Sequence, residues 1–330
     1  MKKLLVFTLT LAMCLSLVAC SSGTPTSNGG GDSKAAWPGS TVTVYVPASA
    51  GGGTDTLTRI LTSGLAEVTG ANFPVSNDAT GNGTVAAETV RNAAPDGQTL
   101  FAYHTAFCGL IASGQYSHTL DDFTFVGVFT TPGVESDGLF VPADSPFETL
   151  DELVAYAKEH PGELISGAQS GQTDHFEQVL LNRELGVDIT VVDCGGNAEK
   201  IPALMGHSID MAIIASVNSA DYVASGDLRC LTTLGENQSQ VFPDVPTLGA
   251  CGYKAVGLPA VCFLLGPKNI PQETVDQINE YLKVVSESDT VKEQLAGFGT
   301  EWKYMSAKDG YELVSNIQEL YTAAAPLVFG

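Results

Sequence analysis

Val44-Tyr45-Val46-Pro47-Ala48-Ser49-Ala50-Gly51-Gly52-Gly53-Thr54-Asp55, running on into Thr56-Leu57-Thr58-Arg59-Ile60-Leu61, reads as strand, glycine loop and helix. Thr41 to Val46 has the β-branched and aromatic composition of a short strand. Pro47 ends it, because proline brings no N–H to a ladder. Leu57, Ile60, Leu61, Leu65 and Val68 then recur at helical spacing, so one face of a helix lies on a sheet. Thr54 or Asp55 fits as its N-cap. Between the two, Gly51, Gly52 and Gly53 leave backbone N–H groups bare, and the helix dipole favours negative charge over its start. The stretch is either a cradle for an anion such as a carboxylate or a tight turn without a ligand. It is not a nucleotide loop, since no Gly-Lys-Ser/Thr follows and no G-x-G-x-x-G fits.

Upstream, Lys2 and Lys3 precede an apolar run from Leu4 to Leu17 that is too short to span a bilayer. Leu17-Val18-Ala19-Cys20 closes it and resembles a bacterial lipobox, which implies a signal peptide over 1–19 and lipidation of Cys20. An ordinary secretory signal is the alternative. Residues 20–36, rich in Ser, Gly, Thr and Asn, cannot bury apolar area and are expected to form a flexible tether. Roughly 290 residues remain from Trp37, enough for two modest domains.

Without Lys2 and Lys3, 13 basic residues face 37 acidic ones, a net charge of −24. Nucleic acid, which needs a basic footprint, is excluded as a partner. An anionic ligand must be held by local donors against that field. Beyond Cys20, the cysteines are Cys108, Cys194, Cys230, Cys251 and Cys262, with no CxxC pair, so no metal site and no cofactor are expected. Their pairing stays open, and most sit in apolar runs that suit buried small hydrophobes. Cys194 beside Asp193 has no local base to activate it. The five histidines are scattered, and neither G-x-S-x-G nor H-E-x-x-H occurs, so a secreted hydrolase is the weakest function class and no catalytic residue is named.

From Trp37 strands and helices alternate, which argues an α/β fold with mainly parallel sheets. Pro95-Asp96-Gly97 is a turn. Thr99 to Tyr103 is a strand with His104 and Thr105 at its end. Ser145-Pro146-Phe147-Glu148 and Thr149-Leu150-Asp151-Glu152 both have capping-box spacing. After the strand Leu164 to Gly167, a second polar loop, Ala168-Gln169-Ser170-Gly171-Gln172-Thr173-Asp174-His175, opens a helix. Asp193-Cys194-Gly195-Gly196-Asn197 follows another strand, and Ser216-Val217-Asn218 follows a third. The loops near residues 51 and 171 share one design, strand into small or hydroxyl residues into helix start. Open α/β sheets bind ligands beyond the C-terminal ends of strands, so the two loops can face each other across a cleft.

Several segments together resemble one family. They are Trp37-Pro38, Gly51 to Asp55 with Arg59, Asn77 with Gly83, Ala94-Pro95-Asp96-Gly97-Gln98-Thr99-Leu100, Thr149 to Leu153, His175, Gly195-Gly196, Gly226-Asp227-Leu228-Arg229 and Pro243-Asp244-Val245-Pro246-Thr247. In this order they are similar to the Bug/TctC proteins, extracytoplasmic solute receptors of tripartite tricarboxylate transporters. The resemblance implies a two-domain, periplasmic-binding-protein-like α/β fold of the type II, Venus-flytrap kind, with 37–140 plus 261–330 as one domain and 141–260 as the other. It implies a monomer that binds a small carboxylate or amino-acid-like ligand in the cleft, anchors to the membrane by lipid and serves one large and one small integral-membrane subunit. The same bilobal architecture also serves ATP-driven importers, which stays open as an alternative.

The ligand-binding residues this implies are Ser49, Ala50, Gly51, Gly52, Gly53, Thr54 and Asp55 on the first loop. On the second they are Ser170, Gly171, Gln172, Thr173 and His175, with His104, Asp193 and Gly195 at other strand ends. Where the family commonly has glycine-x-glycine-serine this chain has Gln169-Ser170-Gly171-Gln172, and Asp193-Cys194 replaces tyrosine-lysine. That departure points away from a tricarboxylate. It suits a neutral or zwitterionic solute, or a monocarboxylate with an amine reaching Asp55 or Asp193. Asp55 serves equally well as a structural cap, and His175 as a fixer of its own loop.

Overall fold

The computed structural model describes residues 37–130 and 136–329. The expected signal peptide, Cys20 and the tether lie outside them. Two five-stranded sheets form the frame. The first has the order β2-β1-β3-β10-β4, from Val75–Asn77, Thr43–Val46, Thr99–His104, Cys262–Pro267 and Phe123–Val128. The second has the order β7-β6-β8-β5-β9, from Thr190–Asp193, Ile165–Ala168, Met211–Ala215, Asp137–Pro142 and Leu228–Thr233.

The two sheets repeat one topology. In each, three strands pair in parallel, and the fourth position is taken by a strand that arrives from the other half of the chain and runs antiparallel to both neighbours. These crossing strands are β5 and β10, and each carries a register shift, at Leu139/Phe140 and at Leu264/Leu265. The chain therefore crosses before Asp137, and residues 137–140, expected with the first domain, pair in the second sheet.

Side chains alternate across both sheets, as a period of two demands when both faces are covered. Val44, Val46, Leu100, Ala102 and Leu264 enter one core while Phe101, Tyr103, Phe263 and Leu265 enter another. In the second sheet Leu139, Val141, Met211 and Ile213 face one side, and Phe140, Ala212 and Ile214 the other. Helices α1 (Gly53–Thr69), α8 (Gln272–Glu287) and α9 (Asp289–Gly297) cover one face of the first sheet. α2 (Thr84–Arg91), α3 (Ala106–Ala112) and α10 (Ala307–Phe329) cover its other face. α4 (Leu150–Glu159) and α5 (Thr173–Leu185) lie on one side of the second sheet, α6 (Asn197–Met205) and α7 (Ser216–Ser225) on the other.

The motifs behind the family resemblance turn out to be structural joints. Trp37 is buried and donates its indole N–H to Gly97 O at 2.9 Å, and a Cβ on Gly97 would stand 3.0 Å from the Trp37 ring. Gly83 has φ +93° and no room for a side chain, since a Cβ would lie 2.1 Å from Pro47 Cβ. Of the two capping-box spacings, Thr149 with Glu152 caps α4. Ser145 instead receives the Phe147 N–H in the turn before it. α1 begins earlier than expected, with Gly52 as N-cap, because Asp55 turns its side chain back to the loop. α3 carried no sequence signal, as its residues Ala106 to Leu110 are buried on every side and show no amphipathic period.

Candidate functional site

A cavity of about 740 Å³ opens between the two sheets, within the usual size of small-molecule sites. Four helices start on it. Gly53 and Thr54 of α1, Thr173 and Asp174 of α5, Asn197 of α6, and Val217 and Asn218 of α7 all line it. Their N-cap residues are Gly52, Gln172, Gly196 and Ala215, and none closes the helix with a side chain. An α-helix cannot satisfy its own first N–H groups, and its dipole is positive at that end. Four such ends directed into one space give it a surplus of donors suited to an anion. α2, α3 and α8 also lack a side-chain cap but do not open on the cavity. The convergence is what distinguishes the site.

The two turns that place α1 and α5 are built alike. Gly52 N–H donates to Ser49 O and Gln172 N–H to Gln169 O, both at 3.0 Å. The third residue of each turn is a glycine in the left-handed region, Gly51 at φ +83° and Gly171 at φ +76°, as a type II turn requires. The third residue's N–H then donates to a side chain four positions on, Gly51 to Asp55 Oδ2 at 2.8 Å and Gly171 to His175 Nδ1 at 3.2 Å. Asp55, 2% exposed, is fully engaged there: Oδ2 also accepts from Arg59 Nε at 2.9 Å, and Oδ1 from Asn77 Nδ2 at 2.8 Å. Burial pushes its carboxyl up, but Arg59, the Gly51 N–H and Asn77 together hold it below its ordinary value. His175 accepts at Nδ1 and is therefore neutral, and burial lowers its pKa.

Behind α5 the equivalent acid is Asp174. Its Oδ2 accepts from Gln169 N–H at 2.9 Å and from Lys200 Nζ at 2.7 Å. Lys200, 1% exposed, spends a second proton on Ile213 O at 2.6 Å. Gln172 stands at the opening of α5, only 7% exposed. Its Oε1 accepts from Tyr103 OH of the other lobe at 3.1 Å, while its Nε2 is buried with no partner among the described residues, on a residue that lines the cavity. Buried donors are normally paired, so this one marks where a ligand acceptor belongs. His104 lines the same space. Burial lowers its pKa to about 4, and its Nδ1 accepts from Ala106 N–H at 3.2 Å, so the neutral ring offers Nε2–H.

Of the residues singled out in the sequence, the cavity thus brings together Gly53, Thr54, His104, Gln172 and Thr173, with Val217 and Asn218 of the segment after the third strand. Ser49, Ala50, Gly51 and Gly52 form the turn behind α1, and Ser170 with Gly171 the matching turn behind α5. Asp55 and His175 pin those turns from outside the cavity. Asp193 is exposed and accepts from Gly195 N–H at 3.3 Å, and neither lines the cavity. Asp137, Lys200 and Leu258, which carry no local motif, line it as well. All five described cysteines are free, and burial raises the Cys194 thiol. Among the described residues no group of three or more His, Cys, Asp or Glu is placed to hold a metal ion.

Residues 57–323 match the family described as "Tripartite tricarboxylate transporter family receptor" (TctC). The chain belongs to that family. The family is one of substrate-binding receptors and not of enzymes. Among its relatives, the UPF0065 protein in the gbd 5' region of Cupriavidus necator is 31% identical over 274 residues, 82% of each chain. BugT of Bordetella pertussis is 25% identical over 272 residues, covering 80% of this chain and 81% of its own. Among solved structures, MatC of Rhodopseudomonas palustris with bound malate superposes with a TM-score of 0.75 at 27% identity, over 87% of this chain and 98% of that one. The adipate-bound Rpa4515 protein of R. palustris gives 0.75 at 26%, over 88% and 98%. The receptor fold seen here is thus that of extracytoplasmic periplasmic binding proteins, and no helix among the described residues is long and apolar enough to cross a membrane.

Proposed function

We propose that this receptor captures a small carboxylate-bearing solute between its lobes and delivers it to a tripartite tricarboxylate-type secondary transporter of one large and one small membrane subunit. It acts as a monomer held at the outer face of the cell membrane by a lipid on Cys20, with residues 20–36 as the leash. The observation that carries the reading is the unpaired Gln172 Nε2 in a cavity where four uncapped helix starts converge. A carboxylate placed there satisfies that donor and several first-turn N–H groups at once, by charge-assisted hydrogen bonds. The malate and adipate in the two R. palustris relatives support a carboxylate as the guest.

The test is a thermal-shift and calorimetric screen of the purified chain against mono- and dicarboxylates, hydroxy acids and amino acids. Saturable binding of at least one carboxylate-bearing solute is expected, and absence of binding across the panel refutes the reading. Cys20→Ala is expected to abolish incorporation of labelled palmitate and to release the protein from the membrane. Membrane retention of that variant would refute the anchor.

A further inference from the structure

The cavity wall supplied by the second lobe is acidic in a way that a receptor for a plain carboxylate does not need. Asp137, the first residue of β5, lines the cavity. Its carboxyl stands within hydrogen-bonding reach of Glu177 on α5, which is 1% exposed. Glu177 Oε1 accepts from Leu258 N–H at 2.8 Å. Its Oε2 is buried and receives no N–H or O–H among the described residues. Two facing carboxyls in a buried place share a proton, because both cannot ionise together. Glu177, the deeper one, keeps it, and the negative charge resides on Asp137 at the cavity surface.

The one lining cation, Lys200, attracts the Asp137 carboxylate but is already ion-paired with Asp174 at 2.7 Å. Lys200 is the one lysine or arginine among the lining residues, and two of its three ammonium protons go to Asp174 and Ile213 O. His104 is neutral. On the same cavity, Gln172 Nε2 and the helix starts ask for an anion. The cavity therefore asks for both signs of charge from one guest.

Resting on the receptor reading above, we infer that the guest is a zwitterion, an amino acid whose carboxylate meets Gln172 Nε2 and the helix starts while its ammonium group meets Asp137. Asp55 and Asp193, the acids the sequence pointed to, are outside the cavity, and Asp137 takes the role assigned to them. The groups that face Asp137 are Glu177 and Asp174 of α5, Lys200 of α6 and the phenol of Tyr321 on α10. Burial holds the carboxyls of Asp137 and Glu177 above their ordinary values. The charge on Asp137, and with it the attraction for an ammonium group, is consequently lost on mild acidification.

The experiment uses matched pairs that differ by the α-ammonium group alone: L-amino acids against their deaminated counterparts, such as glutamate with glutarate, alanine with propionate, and phenylalanine with 3-phenylpropionate. Titration calorimetry on the full chain at pH 7.5 is expected to find an amino acid that binds at least tenfold tighter than its deaminated partner. Asp137→Asn, nearly the same shape, should weaken the amino acid tenfold or more and its partner less than threefold. Glu177→Gln, which keeps the charge on Asp137 and can still donate to it, should change the amino acid affinity less than threefold. On the wild type, lowering the pH from 8 to 6, a range in which both partners keep their carboxylates ionised, should weaken the amino acid and leave its partner unchanged or tighter. This last measurement stands even if a variant fails to fold. A matched pair bound within threefold of each other, a gap that survives Asp137→Asn, or a flat pH profile overturns the ammonium site and leaves a carboxylate receptor intact. Binding of neither class overturns the receptor reading itself.

Discussion

Gln172 gives the sharpest test of the site because removing it should move stability and affinity in opposite directions. Its Nε2 is a buried donor without a partner, which costs the empty protein about 1–3 kcal/mol. Its Oε1 makes one ordinary hydrogen bond with Tyr103 OH, worth about 0.5–1.5 kcal/mol net. The double variant Tyr103→Phe, Gln172→Met removes the donor, the acceptor and the hydroxyl together while keeping volume. The balance runs from about 0.5 kcal/mol less stable to about 2.5 kcal/mol more stable without ligand. With ligand, one charge-assisted hydrogen bond of about 1.5–3 kcal/mol is lost, which weakens binding roughly ten- to 150-fold. Urea unfolding of the ligand-free protein measures the first quantity. Calorimetry with the tightest solute from the screen measures the second. A variant that loses more than about 2 kcal/mol while binding unchanged would show Gln172 to be a structural residue whose unpaired donor meets no ligand.

Asp55→Ala should cost about 2–4 kcal/mol, since three hydrogen bonds are lost, the one to half-exposed Arg59 counting least. Because the folded pKa of Asp55 is lowered, its contribution is present above the unfolded value near 4 and fades as pH falls through the folded one. Urea midpoints measured between pH 7 and 3 should therefore drop less steeply in the variant than in the wild type. Lys200→Met leaves Asp174 charged and unpaired in the interior and should cost about 3–5 kcal/mol by urea unfolding; a loss below 1 kcal/mol would mean that water reaches Asp174. Gly83→Val should lower the thermal midpoint severely or abolish soluble expression, because its backbone is left-handed and Pro47 fills the space for a Cβ. A wild-type midpoint would contradict the packing at that joint.

Much of the architecture was legible because it rests on local rules. The strand, glycine loop and helix from Val44 to Leu61 lie where periodicity placed them, and the Thr149–Glu152 box caps its helix. The likeness of the loops near residues 51 and 171 is real down to the turn hydrogen bond and the left-handed glycine. What residue type alone did not disclose is which side of a loop a residue serves. Asp55 and His175 have the chemistry of ligand contacts, but each sits one helical turn past a glycine whose N–H it must satisfy, which aims it back at the loop. Gln172, chemically the less conspicuous neighbour, is the one that lines the cavity.

Asp137 escaped sequence reading for a reason that lies in topology. The rule that ligands sit beyond the C-terminal ends of strands finds His104 at the end of β3, Gln169 after β6, Gly196 after β7 and Ala215 at the end of β8. The crossing strands β5 and β10 run against their neighbours, so the ends they present to the cleft are their beginnings. Asp137 at the start of β5 and Pro259, Ala260 and Cys262 at the start of β10 line the cavity for that reason. Those starts are also where the chain passes between lobes. Ser136 is fixed at this point, with its Oγ accepting from Gly235 N–H at 3.0 Å and its carbonyl from Ser216 Oγ at 2.6 Å. An acid at the first residue of a crossing strand is therefore held by the second sheet while it lines the cavity that the α1 start also lines. A guest that bridged Asp137 and the α1 start would couple its own charge pattern to the approach of the lobes, the hinge closure by which two-lobed binding proteins enclose a ligand.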